Sequence, residues 1–212
     1  WVNEGILHES EARTNQMAYS GDVTGTGWSA QGDGGSNAGT LTAGGPFGTY
    51  QTVTPSATDS VNPAQRYQIG KSITSGQTYV SSALLKYSAG SFWAVVSVYD
   101  TVTDNKRAWF DLQNGVVGTK GASIIDHGMI DYGDGWWLCW ASANAGGNSG
   151  GLNIEIVNGD GVLGRKLGDV MLVAGSQFEL GATPSSYIPT VIATTRAAET
   201  LTVPAANLPY PT

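Results

Sequence analysis

The chain has 212 residues, 30 of them Gly, with 13% charged side chains and a formal net charge of -7 from 10 Lys and Arg against 17 Asp and Glu. That length allows a substantial buried core, and abundant Gly, Ser, Thr and Asn favour turns and half-buried strands over amphipathic helices. Without clustered basic residues nucleic acid is excluded as a partner, since phosphate binding draws its energy from Lys and Arg, and apolar runs such as Phe92 to Val96 fall far short of the roughly 20 residues that cross a bilayer.

In chain order, Trp1 to Ser10 holds no initiator Met and no basic-then-apolar leader, which fits a segment of a longer protein. Gly25 to Gly48 carries few large apolar side chains and reads as a long loop available to a partner. Period-two alternation then predicts strands at Thr49 to Thr54, Ala64 to Ile73, Thr78 to Tyr87, Phe92 to Tyr99, Arg107 to Leu112, Ser123 to Ile130 and Gly135 to Ser142. Ala143 to Gly151 reads as a second loop. Strands resume at Leu152 to Val157, Val170 to Val173, Ser176 to Leu180 and Thr200 to Val203, with one short helical turn over Thr195 to Glu199. Turn signals separate them: Ser88-Ala89-Gly90, Thr103-Asp104-Asn105, Gln113-Asn114-Gly115, Gly133-Asp134-Gly135 and Asn158-Gly159-Asp160-Gly161. Asn-Gly and Asp-Gly accept the positive φ of tight hairpins, so successive strands are antiparallel. The expectation is an all-β antiparallel sandwich over residues 1–203, followed at 204–212 by an extended tail punctuated by Pro204, Pro209 and Pro211.

Several residues invite a chemical reading. Gly147-Asn148-Ser149-Gly150-Gly151 resembles the nucleophile segment of trypsin-like serine proteases, but Ser149 needs a His and an acid in reach, and only His8 and His127 exist. Neither stands in the protease order, and no His follows Ser149 as a hydrolase of the α/β type requires. The pentapeptide is therefore expected to be a flexible hairpin loop. Asp126, His127, Asp131 and Asp134 have metal-ligand chemistry, yet adjacent strand residues point to opposite faces, so a solvated loop is expected. Glu155 and Glu179 are the carboxylates to check for glycoside hydrolysis, and Glu155, between Ile154 and Ile156, belongs on an outer strand face. Cys139 has no disulfide partner and is expected to pack as a small hydrophobe. Aromatic residues stand out, and aromatic faces either stack on sugar rings or fill cores. Alternation puts Trp136, Leu138 and Trp140 on one face and Trp137, Cys139 and Ala141 on the other, so that strand is apolar on both sides.

The two ends of the chain carry a resemblance. Gly5-Ile6-Leu7 and Glu11-Ala12-Arg13-Thr14-Asn15, then Thr78-Tyr79-Val80-Ser81, Gly133-Asp134-Gly135-Trp136-Trp137, Phe178-Glu179-Leu180-Gly181, Ser185-Ser186-Tyr187-Ile188-Pro189-Thr190 and Thr195-Arg196-Ala197-Ala198 are similar, in order, to pieces of a bacteriophage tail-fibre and virion structural module. The resemblance implies a jelly roll of the concanavalin-like or carbohydrate-binding type in a virion, not an enzyme, meeting host-surface polysaccharide or other virion proteins and assembling as a homo-oligomer, a trimer by preference. It implies that Arg13 and Arg196 tie the termini and that Tyr187 closes the sandwich. Jelly rolls that bind sugars often hold a structural calcium ion. The expected glycan face carries Trp93, Trp109 and Trp140 with Lys86 beside them. Leu138 departs from the family, where an Arg is common, and so does Trp137, where Tyr is usual. A carbohydrate-binding module of a polysaccharide-degrading enzyme is the alternative, and a hydrolase using Ser149 or a carboxylate pair is the third reading.

Overall fold

A computed structural model describes residues 11–31, 36–55, 61–102 and 106–198. Fifteen strands occur there and no helix: β1 (Arg13–Asn15), β2 (Ser29–Gln31), β3 (Ser36–Ala38), β4 (Thr42–Ala43), β5 (Thr49–Pro55), β6 (Ala64–Ser72), β7 (Thr78–Ala89), β8 (Trp93–Asp100), β9 (Arg107–Asp111), β10 (Val116–Lys120), β11 (Asp126–Asp131), β12 (Trp136–Asn144), β13 (Ser149–Val157), β14 (Val170–Leu180) and β15 (Thr194–Arg196). Every pairing is antiparallel. One sheet runs β10-β9-β8-β13-β6-β2 and the other β11-β12-β7-β14-β5-β3, with β4 on the margin of β5. The protein is an antiparallel β-sandwich of the jelly-roll kind.

Alternation explains why the two sheets stack. Tyr79, Ala83 and Leu85 of β7, Cys139 and Ala141 of β12, Val96 and Val98 of β8 and Leu152, Ile154 and Ile156 of β13 all enter one buried cluster. Their intervening neighbours face outward, as period two demands. The rings of Tyr79 and Phe178 stack 5.3 Å apart inside it. Burying one such side chain contributes about 1.5–3 kcal/mol, so the inner faces supply most of the drive to fold.

Several expectations need correction. The predicted strands Val170 to Val173 and Ser176 to Leu180 are one strand, β14, interrupted by a bulge between Val173 and Gly175. The turn expected over Thr195 to Glu199 is instead β15, paired with β1 through Thr14↔Thr195; Glu199 itself lies outside the described residues. Gly25 to Gly48 contains the short edge strands β2, β3 and β4, and the connection shrinks at Ala143 to Gly151 because β12 extends to Asn144 and β13 begins at Ser149. The remaining link is anchored: the Gly146 amide donates to Asp100 Oδ2 at 2.7 Å and Lys106 Nζ donates to the Asn144 carbonyl at 2.8 Å. Thr200 to Val203, the tail 204–212, His8, Gly5-Ile6-Leu7 and the turn Thr103-Asp104-Asn105 lie outside the described residues.

The segment from Gln16 to Trp28 seals the sandwich between the sheets, with Met17 and Val23 buried in the core. Two buried glutamines hold it, one from each sheet. Gln68 of β6 accepts from the Ala18 amide at 2.7 Å and donates back to the Ala18 carbonyl at 2.9 Å. Gln51 of β5 accepts from the Val23 amide at 2.6 Å and donates to Asp22 at 2.9 Å and to the Gly39 carbonyl at 3.0 Å. A loop running this deep must have its backbone groups satisfied, and side-chain amides, with donor and acceptor together, suit that task.

Candidate functional site

On the outer face of the seven-stranded sheet a cleft of about 420 Å³ opens between three connections. Tyr19, Gly21 and Asp22 come from the β1–β2 link, Leu41 and Phe47 from the β3–β5 link, Thr49 from the start of β5, and Tyr187, Pro189, Thr190 and Val191 from the β14–β15 link, with Ala174 of β14 as floor. The volume falls in the range of small-ligand sites, roughly 300–1,000 Å³.

Local sequence builds each wall. From Tyr19 to Trp28 three successive tight turns close, Asp22 onto Tyr19, Gly25 onto Asp22 and Trp28 onto Gly25, with N–O distances of 2.9, 2.9 and 3.1 Å. Tyr19 pays for this with a left-handed φ of 49°, a conformation costing a non-glycine residue about 1–2 kcal/mol. Asp22 Oδ1 accepts from the Thr24 amide at 2.9 Å, the Thr24 hydroxyl at 2.5 Å and Gln51 Nε2 at 2.9 Å. Partial burial works to raise the Asp22 pKa, but the Thr24, Gln51 and Gly25 hydrogen bonds outweigh it and hold the carboxyl below its ordinary value. Asp22 is therefore ionised at neutral pH.

Phe47 sits in a tight loop closed by Gly44 and Gly48, and its ring stacks on Tyr187 with centroids 4.2 Å apart. The Tyr187 strap is pinned from below. Asn15, fully buried, donates to the carbonyls of Ser176 at 3.1 Å and Ile188 at 2.9 Å, while Gln177 Oε1 accepts the Ile188 amide. The hydroxyls of Ser20 and Tyr187 meet at 2.8 Å, and Ser20 also accepts the Thr190 amide. Burial raises the Tyr187 pKa, offset in part by the Ser20 bond.

The expected glycan face is not formed as one surface. Trp93 and Trp109 lie on the outer face of the six-stranded sheet, Trp140 and Lys86 on the outer face of the seven-stranded sheet. Trp109 is buried beneath the Val162 carbonyl, which accepts its indole N–H at 3.3 Å, and packs with Val95, Val157 and Trp93. Trp140 is half-buried, its indole across Gly128 of β11, and Lys86 donates to the Asp134 carbonyl and lies 5.9 Å from the Trp136 ring. Trp136 is covered on the outer face by Tyr50, Phe47 and Leu172, and the Trp137 indole donates to the Leu112 carbonyl at 3.0 Å.

Arg13 and Arg196 are cross-strand neighbours in β1 and β15. Arg13 donates to the Leu180 carbonyl and pairs with Glu11 at 3.2 Å, and Arg196 donates to the Ser186 hydroxyl.

The catalytic readings meet specific geometry. Ser149 opens β13 in the six-stranded sheet as strand, not as the expected hairpin loop. His127 stands in the other sheet, its Nε2 3.3 Å from the Gly118 carbonyl and its ring facing Phe110. Glu155 and Glu179 lie on opposite outer faces. With sheets about 10 Å apart, their carboxyls exceed the separation of at most about 9.5 Å that a glycosidase pair uses. Glu155 is also buried, not solvated as an outer-face position suggests: it accepts from Arg107 at 3.0 Å and Ser97 at 3.0 Å. Glu179 accepts from Ser185 and Gln177. Burial raises both pKa values despite these partners. Asp126 and Asp131 are the two ends of strand β11, which stands in place of the expected solvated loop, and they accept from the backbone amides of His127 and Gly133. Among the described residues no group of three or more His, Cys, Asp and Glu converges as a metal centre.

No protein-family model matches the chain, and no curated protein matches it. Among solved structures it is similar to the CBM22-1 xylan-binding domain of Paenibacillus barcinonensis Xyn10C, with a TM-score of 0.40 and 14% identity over 84% of this chain and 99% of that one. It is similar also to the CBM22-1 and GH10 modules of Clostridium thermocellum endo-1,4-β-D-xylanase 10B complexed with xylohexaose, with a TM-score of 0.39, 13% identity and 85% of this chain covered. The chain spans 30% of that second structure.

Tyr19, Asp22 and Phe47 were not singled out by sequence reasoning. An aromatic residue isolated in a Gly-rich connection, as Phe47 is between Gly45 and Gly48, was the available signal.

Proposed function

We propose that this protein is a non-catalytic carbohydrate-binding β-sandwich and that the cleft between Tyr19, Phe47 and Tyr187 takes the sugar. The observation that carries this reading is the cleft itself: three aromatic side chains and one fixed carboxylate line it. Aromatic faces pack on the C–H faces of pyranose rings, and an ionised carboxylate accepts sugar hydroxyls in short, strong hydrogen bonds.

The motif resemblance at both ends extends the proposal to a phage virion protein, from a tail fibre, spike or surface decoration, that meets host-surface polysaccharide or other virion proteins as a homo-oligomer, a trimer by preference. Carriage by a polysaccharide-degrading enzyme is the competing context, and sequence flanking Trp1 and Thr212 in the parent gene separates the two.

The test is a glycan array followed by titration calorimetry on wild type, Phe47→Ala, Tyr19→Phe, Trp93→Ala, Trp109→Ala and Trp140→Ala. Binding abolished by Phe47→Ala and retained by Trp93→Ala supports the cleft. Binding lost only in folded Trp140→Ala moves the site to the β11–β12 surface, and an array with no bound glycan overturns the proposal.

A further inference from the structure

We infer that the glycan accepted by this cleft is uncharged, with hydroxyls presented to the Asp22 carboxylate, and that polyuronates and other anionic saccharides are refused. The inference rests on the carbohydrate-binding reading above and deepens it to a ligand class.

Three observations carry it. Among the described residues lining the cleft, Asp22 is charged and none is Lys, Arg or His. The site thus holds a negative charge with no cation on its walls to receive a sugar carboxylate or sulfate. The second is the way Asp22 is held: Oδ1 accepts from the Thr24 amide, the Thr24 hydroxyl and Gln51, and the Gly25 amide adds a further hydrogen bond to the carboxylate. These bonds fix an ionised acceptor on the cleft wall. Gln51 is itself buried and held by the Val23 amide, so the acceptor is positioned before any ligand arrives, which reduces the entropy lost on binding. Third, the chain carries a net charge of -7, and its long-range field adds to the local repulsion of anions.

Like charges about 4 Å apart near a protein surface repel strongly enough to lower affinity by on the order of tenfold or more. A neutral hydroxyl suffers no such repulsion and gains a charge-assisted hydrogen bond.

The experiment compares soluble neutral oligosaccharides (xylo-, gluco- and manno-oligomers) with oligogalacturonate and alginate oligomers, at low and at physiological salt, on wild type, Asp22→Asn and Phe47→Ala. Asn keeps an oxygen for the Thr24 and Gln51 donors, and equal urea midpoints establish that the variant is folded. The expected result is neutral-sugar binding lost in Phe47→Ala and weakened about tenfold in Asp22→Asn, with uronate binding at least tenfold weaker in wild type and improved in Asp22→Asn. Uronates bound by wild type as tightly as neutral sugars, in a Phe47-dependent way, overturn the inference and leave the carbohydrate-binding reading standing. Neutral-sugar affinity unchanged in folded Asp22→Asn also overturns it. No binding of any oligomer overturns both.

Discussion

The rings of Phe47 and Tyr187 lie face to face, with centroids 4.2 Å apart and planes 18° from parallel, on the bare backbone of Gly175. A Cβ at Gly175 would stand 3.0 Å from Phe47 Cδ2 and 3.1 Å from Tyr187 Cε2. The bulge in β14 delivers Gly175 to this place, and the missing side chain lets both rings settle. Gly175→Ala is expected to shift the stack by a few tenths of an ångström and cost about 1–2 kcal/mol, the usual toll of overpacking. Urea denaturation reads the loss, and calorimetry with the bound glycan reads weaker binding. A variant with unchanged stability and affinity would show that the stack tolerates a methyl group.

Gln51 connects the core to the cleft. Gln51→Leu keeps the volume and removes the partners of the Val23 amide and the Gly39 carbonyl and one of the donors to Asp22. At about 1 kcal/mol for each neutral bond and somewhat more for the charged one, a destabilisation of about 3 kcal/mol is expected in urea melts. Asp22 loses its anchor at the same time, so glycan affinity falls as well. A loss below about 0.5 kcal/mol would contradict the role assigned to this side chain.

The two buried glutamates give a pH signature opposite in sign to that of Asp22. Burial raises Glu155 and Glu179 above the ordinary value of 4.5, so the folded state holds protons that the unfolded chain releases. Their contribution to stability is therefore greatest below that value and declines as pH rises through the window up to their folded pKa values. Asp22, held below 3.8, contributes stability above that value and loses it as pH falls through its folded pKa. Urea midpoints measured in steps from pH 3 to pH 8 are expected to decline on the alkaline side of the glutamate value, and Glu155→Gln is expected to flatten that decline. An equal slope in the variant would remove Glu155 from the account.

Cys139 is fully buried in the core, and burial raises its thiol pKa well above the usual value. Thiol reagents attack the thiolate and need access. Labelling in native buffer is therefore expected to be slow and to accelerate together with unfolding as urea is added. Rapid labelling without denaturant would contradict the packing of β12 against β7 and β8.

Much of the sandwich was legible because alternation is a local property. Thr78 to Tyr87, Phe92 to Tyr99 and Arg107 to Leu112 emerge as β7, β8 and β9 within two residues at each end. The short edge strands β2, β3 and β4 were not, since two or three residues offer no periodicity. Neither was β10, whose Val116-Val117-Gly118 run does not alternate. Aromatic residues were legible as a set but not as a surface: parity separates Trp136 from Trp137, yet it cannot say that Trp109 lies beneath Val162 or that Trp93 and Trp140 belong to different sheets.

Composition and alternation by themselves determined an all-β, antiparallel chain with a two-faced strand at Trp136 to Ala141, because side-chain direction in a strand follows from its own backbone. Only the tertiary structure decided which outer face each residue occupies, that Glu155 and Glu179 stand apart, and that Tyr19, Phe47 and Tyr187, more than 160 residues apart in sequence at the extremes, form one cleft. The physical reason is that those three side chains come from connections. Their positions are set by buried hydrogen bonds from Asn15, Gln51 and Gln177 to distant backbone, and no local pattern encodes those partners.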